Sequence, residues 1–460
     1  MKNTCLLLFL LMLVGLTQMK AQTAIDKTFK ENSVHTIDKL INDYYVYPDV
    51  AKKTGNHLKK QLESGYFDQY NNLDSFAKAL TQELQSINKD KHMKVVASVR
   101  QKSSMSNDDH VEALLKGIKS PMASTDGFFE TKKLPGNIGY LEIRGFANPA
   151  EGAPVADAYM KLLGNSDAII IDLRKNGGGS PEMVQYLCSY FFDEKVHLNS
   201  IYHREGNWTK DYWTLEKVNG KKMPDVPLFV LTSNYTFSGA EEFSYNMQTQ
   251  KRATLIGETT GGGANPGGMR RINNQLAIFI PDGAAINPIT KTNWEGVGVV
   301  PEVKISAEVA FEKAIELATN AAENYRQNRY TAGKTLLNSI FKKLENLAGK
   351  SYSEHEMNEL IRLFQTTIEK GLINEMQINI MGYAEMENNR GNMAEVILKA
   401  NTLLFPDSPN TYDSYAEVLA KNGKRELAVK AYERAVEVAD IHKDPNIEMY
   451  KENLVKLKGR

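Results

Sequence analysis

A serine lies where an apolar run gives way to a helix, in the stretch LTSNYTFSGAEEF from Leu231 to Phe243. Amides at a helix start can hold the oxyanion that forms when a serine hydroxyl attacks a carbonyl carbon. The same Ser238-Gly239-Ala240-Glu241 run fits Ser-x-x-Glu, the capping box, in which the serine only accepts a first-turn amide. On this stretch alone, both acyl transfer and helix capping are open for Ser238.

Two glycine-rich turns can bring backbone amides close to a ligand. The first is IDLRKNGGGS, Ile171 to Ser180, and the second is GETTGGGANPGG, Gly257 to Gly268. Neither contains the Gly-Lys-Ser/Thr of a nucleotide P-loop. Taken singly, each predicts an ordinary turn or a weak phosphate cradle.

In chain order, these motifs resemble the C-terminal-processing and tricorn-type serine peptidase family. Asp-Leu-Arg-x-Asn-Gly-Gly-Gly is followed by Thr-x-Ser-Gly-Ala-Glu, then Gly-Glu-Thr-Thr-Gly, then Glu-Gly-x-Gly-Val-x-Pro, and the resemblance covers Lys91 to Val303. It implies that Ser238 is the nucleophile and that the amide of Gly239, together with the amide of Gly177 or Gly178, forms the oxyanion hole.

The family uses two different bases. Its processing branch carries a lysine after Gly-Glu-x-Thr, where this chain has Gly263, so a Ser/Lys dyad is not expected. The tricorn-like and retinoid-binding-protein-like branch uses a histidine near the end of a helical region, and His92 in NKDKHMKVV matches it, although Lys91 replaces that branch's preceding serine. The resemblance implies His92 as the general base; a plain surface histidine is the alternative. Beside an acid, its pKa should lie at or modestly above the ordinary value of about 6.5.

An acid should orient the imidazole and stabilise its cation. The resemblance implies Glu295, in NWEGVGVVPEV, for this role, and a solvated loop carboxylate is the alternative. Asp172 and Arg174 are expected to be structural partners at a strand end. HEMNE at His355 lacks the second histidine of a zinc helix, so neither a metal nor a cofactor is expected.

These residues must be positioned by an α+β multidomain fold. Apolar residues at helical spacing from Ile25 to Ile87 predict a helical N-terminal domain over residues 22–90. Short apolar strands then alternate with helices, which favours an α/β peptidase core over residues 91–320, crotonase/ClpP-like by the resemblance. The short stretch from His92 to Ile138 leaves no room for an inserted PDZ domain.

The chain becomes helical over residues 321–460. GYAEMENNRGNMAEV and SYAEVLAKNGKRELAV share Tyr, Ala, Glu and Gly at one spacing, so this all-α region resembles tetratricopeptide repeats. A plain helical bundle is the alternative. Such repeats are candidates for binding an extended substrate or another protein partner.

Residues 1–21 are predicted to be a secretory signal peptide, because Lys2 precedes an apolar run that ends in small and polar residues. That run is too short to span a bilayer. Export leaves Cys188 as the single mature cysteine, so no internal disulfide is expected. Lys+Arg and Asp+Glu number 56 each, so no net field attracts nucleic acid.

The sequence therefore predicts a periplasmic or extracellular serine endopeptidase that cleaves proteins or peptides through an acyl-enzyme at Ser238, with His92 as general base and Glu295 as its partner. Two other classes stay open. One is a catalytically inactive protein that binds peptides or hydrophobic ligands with the same core. The other is a repeat scaffold that captures partner proteins around a vestigial core.

Overall fold

The computed structural model describes residues 25–97, 107–108, 111–112, 115 and 126–459. The chain divides into two compact units, Met1–Tyr325 and Arg326–Arg460. The predicted signal peptide over residues 1–21 lies outside the described residues. Within them, no helix is both long and apolar enough to cross a membrane.

Three amphipathic helices open the described chain: α1 (Lys27–Tyr44), α2 (Pro48–Glu63) and α3 (Leu73–Asn88). Asp26 and Asn72 cap α1 and α3 by accepting first-turn amides, a contact usually worth about 1 kcal/mol. Helix α3 ends at Lys89, whose φ of 61° turns the chain towards His92. The apolar faces of the three helices share one core, which confirms the predicted N-terminal helices.

Twelve strands follow among the described residues: β1 (Lys94–Ala97), β2 (Phe128–Leu134), β3 (Ile138–Ile143), β4 (Ala168–Asp172), β5 (His197–His203), β6 (Trp208–Trp213), β7 (Leu228–Thr232), β8 (Thr254–Gly257), β9 (Gly267–Arg271), β10 (Leu276–Pro281), β11 (Gly283–Ile286) and β12 (Val303–Lys304). Six of them form a central sheet in the order β12-β8-β7-β4-β3-β2, in which only β2 is antiparallel. Strands β3, β4 and β7 are buried along their whole length, as continuous apolar runs predict for a sheet covered on both faces.

Helices cover both faces of the central sheet: α4 (Pro149–Leu163), α5 (Pro181–Cys188), α6 (Gly239–Thr249) and α7 (Ala310–Leu347). Side chains alternate along a strand. Ile169 and Ile171 of β4 therefore pack in the cluster that contains residues of α4, α5 and α6, whereas Ile170 packs with the alanines of α7. This layered arrangement confirms the predicted α/β core.

Two small antiparallel sheets complete the first unit, in the orders β1-β10-β9 and β11-β5-β6. Strand β10, the predicted LAIFIP strand, belongs to the first of these and not to the central sheet. It pairs with β1, with Val95 opposite Ile278, so it holds the segment that follows His92 against the core. In the other small sheet, Ala285 of β11 lies opposite Ile201 of β5.

The second unit consists of helices, as predicted for the C-terminal region: the end of α7, then α8 (Glu354–Glu369), α9 (Glu375–Glu387), α10 (Gly391–Leu404), α11 (Pro409–Lys421), α12 (Arg425–His442) and α13 (Ile447–Lys458). Small residues allow close helix crossings. A β-carbon added to Gly382 on α9 would meet Leu398 of α10 at 2.6 Å. The tetratricopeptide assignment itself stays a prediction.

The predicted domain boundary between residues 320 and 321 lies inside α7. Ala310, Ala314, Ala318 and Ala322 of this helix are fully buried against the central sheet, and the compact units divide after Tyr325. Composition could not reveal this, because both sides of the boundary have helical sequences.

We predict that a chain ending at Tyr325 folds cooperatively, whereas one ending at Val309 is less stable by at least about 3 kcal/mol, because it loses the apolar cover of one sheet face. Urea denaturation followed by circular dichroism measures both. Equal stability of the two chains would show that this face of α7 does not support the sheet.

Candidate active site

Ser238 lies in the turn between β7 and α6, with φ 54° and ψ −121°. A residue with a β-carbon rarely adopts this region, and such strain clusters at functional sites. An ordinary N-cap residue is extended. Both side-chain-to-backbone contacts of the capping box are in place between Ser238 and Glu241, although the Ser238 side chain makes no full cap hydrogen bond. The backbone at Ser238 is therefore that of a serine held on a sharp strand-to-helix turn, the geometry that exposes nucleophiles at the top of a sheet.

The other half of the capping box, Glu241, holds this turn in place. Its Oε2 accepts the amides of Ser238 at 2.9 Å and Gly263 at 2.8 Å, and its Oε1 accepts the amide of Gly262 at 2.6 Å and the hydroxyl of Thr260. Burial raises the pKa of Glu241, whereas these hydrogen bonds oppose the rise. One buried carboxylate thus fastens the Ser238 turn to the second glycine-rich turn.

The first glycine-rich turn packs against Ser238. Gly178 has a φ of 106°, and a β-carbon there would meet the Ser238 β-carbon at 2.7 Å, so the position requires glycine. The Gly178 amide, expected in the oxyanion hole, donates instead to Asn176 Oδ1 at 2.8 Å. The Gly178 amide is therefore already hydrogen-bonded in this structure, and its place in the oxyanion hole stays a prediction.

Two other amides beside Ser238 are open. Gly239, the first residue of α6, and Gly179 donate no hydrogen bond to the rest of the described chain. A β-carbon on Gly239 would lie 3.1 Å from the Gly179 nitrogen, so the two backbones are close together. This pair matches the geometry that an oxyanion hole needs better than Gly178 does.

His92 reaches the site from the turn after α3, where its amide donates to Asp90 Oδ1 at 3.0 Å. Its ring lies 4.5 Å from the Phe237 ring between centroids and stacks over Phe279 at 5.9 Å. Phe237 directly precedes Ser238. The two aromatic rings therefore fix the imidazole next to the serine turn.

Gly263 makes room for that imidazole. A β-carbon there would meet the Phe237 ring at 2.2 Å and His92 Cε1 at 2.7 Å. Any side chain at this position, including the lysine of the processing branch, would displace His92. The space that the His92 ring occupies therefore depends on glycine at position 263.

Two carboxylates lie beside His92. Atoms of Asp90, His92 and Glu295 lie within 4.8 Å of one another. Glu295 Oε2 accepts the amide of Ala264 at 2.6 Å, while Glu295 Oε1 and His92 Nδ1 are buried without a hydrogen-bond partner among the described residues. An imidazole N–H and a carboxylate oxygen are complementary. Glu295 is therefore a candidate partner for His92 Nδ1.

Sequence reasoning missed Asp90. It is almost fully buried, lies 3.9 Å from His92 Nδ1 through Oδ1, and accepts hydrogen bonds from Tyr45 and Asn265 through Oδ2. These contacts occupy its oxygens, which favours an anchoring role over that of a metal ligand for Asp90. The only signal in the sequence is an acid two residues before the histidine.

Burial sets the charge states of this group. It lowers the pKa of His92 to about 4, with help from the positive charge of Lys94. It raises the pKa of Glu295 to about 8, with help from the negative charge of Asp90, and it raises the pKa of Asp90. His92 is therefore neutral at pH 7, and its pKa lies below the expected value near 6.5, because desolvation of the buried ring and the nearby Lys94 both disfavour its charged form.

The other charged residues near these motifs make structural contacts outside the candidate site. Lys91 Nζ donates to the carbonyl of Gly261 at 2.5 Å. Arg174 pairs with Asp172 at 2.6 Å and also donates to the carbonyl of Ala307. Asp172 and Arg174 are thus structural partners at the end of β4, as expected.

Ser238 and His92 line one pocket of about 450 Å³, together with Gly179, Gly239, Gly263 and Trp294. Glu295 is not part of the wall of this pocket. A serine on a strained turn, a neutral imidazole and two open amides around one cavity are the parts needed for acyl transfer.

Comparisons with known proteins match two parts of the chain to a peptidase family. Residues 137–305 match the model described as Peptidase family S41, and residues 21–127 match the model described as the N-terminal domain of Peptidase_S41 in eukaryotic IRBP. A carboxyl-terminal-processing protease of Synechocystis sp. is 32% identical over 204 residues, which is 40% of this chain and 44% of that protein. The chloroplastic carboxyl-terminal-processing peptidase 2 of Arabidopsis thaliana is 28% identical over 178 residues, which is 37% of this chain and 33% of that protein.

The match thus spans less than half the length of both curated relatives. Among solved structures, the tricorn protease aligns with a TM-score of 0.40 and 15% identity, over 65% of this chain and 37% of that one.

The crowding at Gly263 gives a testable prediction. Gly263→Ala should lower the free energy of unfolding by roughly 1 to 3 kcal/mol and displace the His92 ring, because the new methyl group overlaps two aromatic rings. Thermal denaturation measures the first effect, and the histidine NMR signals measure the second. Gly268→Ala is the matched control, since a β-carbon there meets nothing within 4 Å. Equal effects of both substitutions would contradict the steric argument.

The raised pKa of Glu295 predicts a pH-dependent stability. Its folded-state pKa of about 8 exceeds the ordinary value of 4.5, so its contribution is fully present below about pH 4.5 and is lost as the pH rises through 8. Glu295→Gln cannot ionise, so its stability relative to the unsubstituted protein should improve by roughly 1 to 3 kcal/mol between pH 5 and pH 9. Urea denaturation at both pH values tests this, with the exposed Glu308→Gln as control. A difference that does not change with pH would contradict the assignment.

Proposed function

The chain belongs to peptidase family S41, and from this premise we propose that it is an exported serine endopeptidase that cleaves peptide bonds in proteins or peptides. The observation that carries the proposal is that Ser238, on a strained turn, shares one pocket with the neutral, buried imidazole of His92.

In the first half of the reaction, Ser238 Oγ attacks the peptide carbonyl carbon while His92 accepts the hydroxyl proton. The tetrahedral intermediate then collapses, the C–N bond breaks, and His92 returns the proton to the leaving amine. In the second half, water attacks the acyl-enzyme with His92 again as base, which releases the carboxylic acid and restores Ser238. A pKa of about 4 keeps His92 able to accept a proton throughout the neutral range.

The buried imidazolium that forms in each half-reaction needs a negative partner. We assign this role to Glu295, which lies within 4.8 Å of His92 and whose pKa of about 8 would fall as the positive charge forms beside it. Asp90 would hold the backbone of His92 and add a second negative charge nearby. Proton transfer to His92 and ionisation of the acids would therefore be coupled.

We assign the oxyanion hole to the amides of Gly239 and Gly179. Both are open and close together, whereas the Gly178 amide is held by Asn176. A role for Gly178, as the family resemblance implies, would require that hydrogen bond to break when substrate binds. Each donor of this kind is commonly worth about 3 kcal/mol in the transition state.

Because residues 1–21 have the pattern of a signal peptide, we propose export to the periplasm or the extracellular space. The C-terminal helices would recruit protein substrates or other partners. The buried free thiol of Cys188 is compatible with an oxidising compartment, because it is shielded from oxidants. A binding protein without catalysis would use the same pocket for its ligand, so only chemistry at Ser238 separates the two functions.

Ser238→Ala should lower kcat/KM for a casein-derived peptide by at least about 1,000-fold and change the free energy of unfolding by no more than about 1 kcal/mol. Ser244→Ala, which removes a hydroxyl on the same helix outside the pocket, is the control and should keep most of the activity. Undiminished turnover by Ser238→Ala would end the nucleophile assignment. A folded wild-type protein that binds peptides and cleaves none would favour the binding-protein function.

A further inference from the structure

A second acid of α6 reaches the same pocket as the candidate nucleophile. Glu242 lies in the first turn of α6, four residues after Ser238 in the chain. Glu242 is part of the pocket wall although the residue is only 5% exposed. It is therefore a buried carboxyl group in the wall of the cavity that Ser238 also lines.

The wall opposite Glu242 comes from two paired strands. Asn199 and Ile201 of β5 are two residues apart and lie on one face of the strand, and Ala285 of β11 is opposite Ile201. Asn199 Nδ2 donates to Glu242 Oε1 at 3.2 Å, which fixes the carboxyl group, while Asn199 Oδ1 is fully buried with no partner in the described chain. Ile201 and Ala285 add apolar surface to the pocket wall.

Among the described residues, no cationic side chain forms an ion pair with Glu242. Its hydrogen-bond partner is the neutral Asn199, and the charged side chain that influences it is Glu182, itself paired with Lys210. Burial raises the pKa of Glu242 to about 8, so ionising it at neutral pH is only mildly unfavourable. Apart from His92, Glu242 is the single ionisable side chain in the pocket wall.

We propose that Glu242 makes this pocket select a lysine or arginine side chain next to the scissile bond. The aliphatic stem of such a side chain would pack against Ile201 and Ala285, and its cationic end would pair with the Glu242 carboxylate. An acidic side chain would be rejected, because it brings a second negative charge to a buried site. This inference rests on the proposed function and names the substrate class of that same site.

The test uses three peptides that are identical except for the residue before the cleaved bond, which is lysine, norleucine or glutamate. Norleucine has the stem of lysine without the amine. The full-length protein should cleave the lysine peptide with a kcat/KM at least about 30-fold above the norleucine peptide, and Glu242→Gln should reduce that ratio to within about threefold of unity. Glu242→Gln keeps the side-chain shape and the bond to Asn199, and its melting temperature checks that it is folded.

Asp211→Asn is the matched control, since Asp211 is an acid beside β5 that lies outside the pocket wall; it should leave the lysine-to-norleucine ratio unchanged. Binding of the same peptides to the inactive Ser238→Ala protein, measured by fluorescence anisotropy, gives a second readout that needs no catalysis. It should show the same preference for lysine and the same loss in the Ser238→Ala/Glu242→Gln protein.

The outcomes separate the two proposals. Equal cleavage and equal binding of the lysine and norleucine peptides would overturn the role of Glu242 and leave the peptidase function standing. A lysine preference that survives Glu242→Gln would also overturn it. Absence of cleavage of all three peptides would instead overturn the peptidase function, and binding to Ser238→Ala would still decide whether Glu242 selects a cation.

Discussion

The buried carboxylate of Glu241 is the interaction on which the site depends. It accepts amides from the turn that carries Ser238 and from the glycine-rich turn that contains Gly262 and Gly263. Charge-assisted hydrogen bonds of this kind are strong, and leaving the amides unpaired would be costly. The strained backbone at Ser238 can persist because this network over-determines it. Glu241 thus completes the capping box of α6 and at the same time holds the main chain of the serine turn.

The position of His92 follows from the same network. Glu241 fixes the Gly263 backbone, and the missing side chain at Gly263 leaves the space in which the imidazole packs against Phe237. That packing removes water from His92, which keeps it neutral and ready to accept a proton. The same burial opposes the imidazolium, so Glu295 and Asp90 are needed beside it. Steric fit and charge state are therefore set by one feature, the close packing around Gly263.

Many of the strands and the candidate site residues could be predicted from the sequence, because continuous apolar runs and the order of motifs can be seen directly in it. The strands β3, β4, β7, β8 and β10 and the candidate pair Ser238 and His92 were found in this way. The membership of β10 in a small sheet was not, since strand pairing depends on residues far apart in the chain. The continuity of α7 through the predicted boundary was missed for a similar reason, because helical sequence continues on both sides.

The details of the site that were missed depend on contacts between distant residues. Asp90 becomes important only where the end of α3 meets Tyr45 and Asn265. The Gly178 amide is taken by Asn176 through a side-chain rotamer that no pattern reveals. In the sequence, Glu242 is one more polar residue of a helix. Its burial depends on contacts in the folded chain, such as that with Asn199 of β5. The burial that lowers the pKa of His92 likewise depends on tertiary packing, so it could not be predicted from the residues adjacent to His92 in the sequence.

The most direct measurement of the central claim is mass spectrometry of the protein after reaction with a fluorophosphonate, which modifies a serine only when a base and an oxyanion hole activate it. The account predicts a single adduct on the peptide that contains Ser238, and much slower labelling in His92→Ala. An adduct on another residue, or labelling of Ser238 that is equally fast without His92, would contradict it.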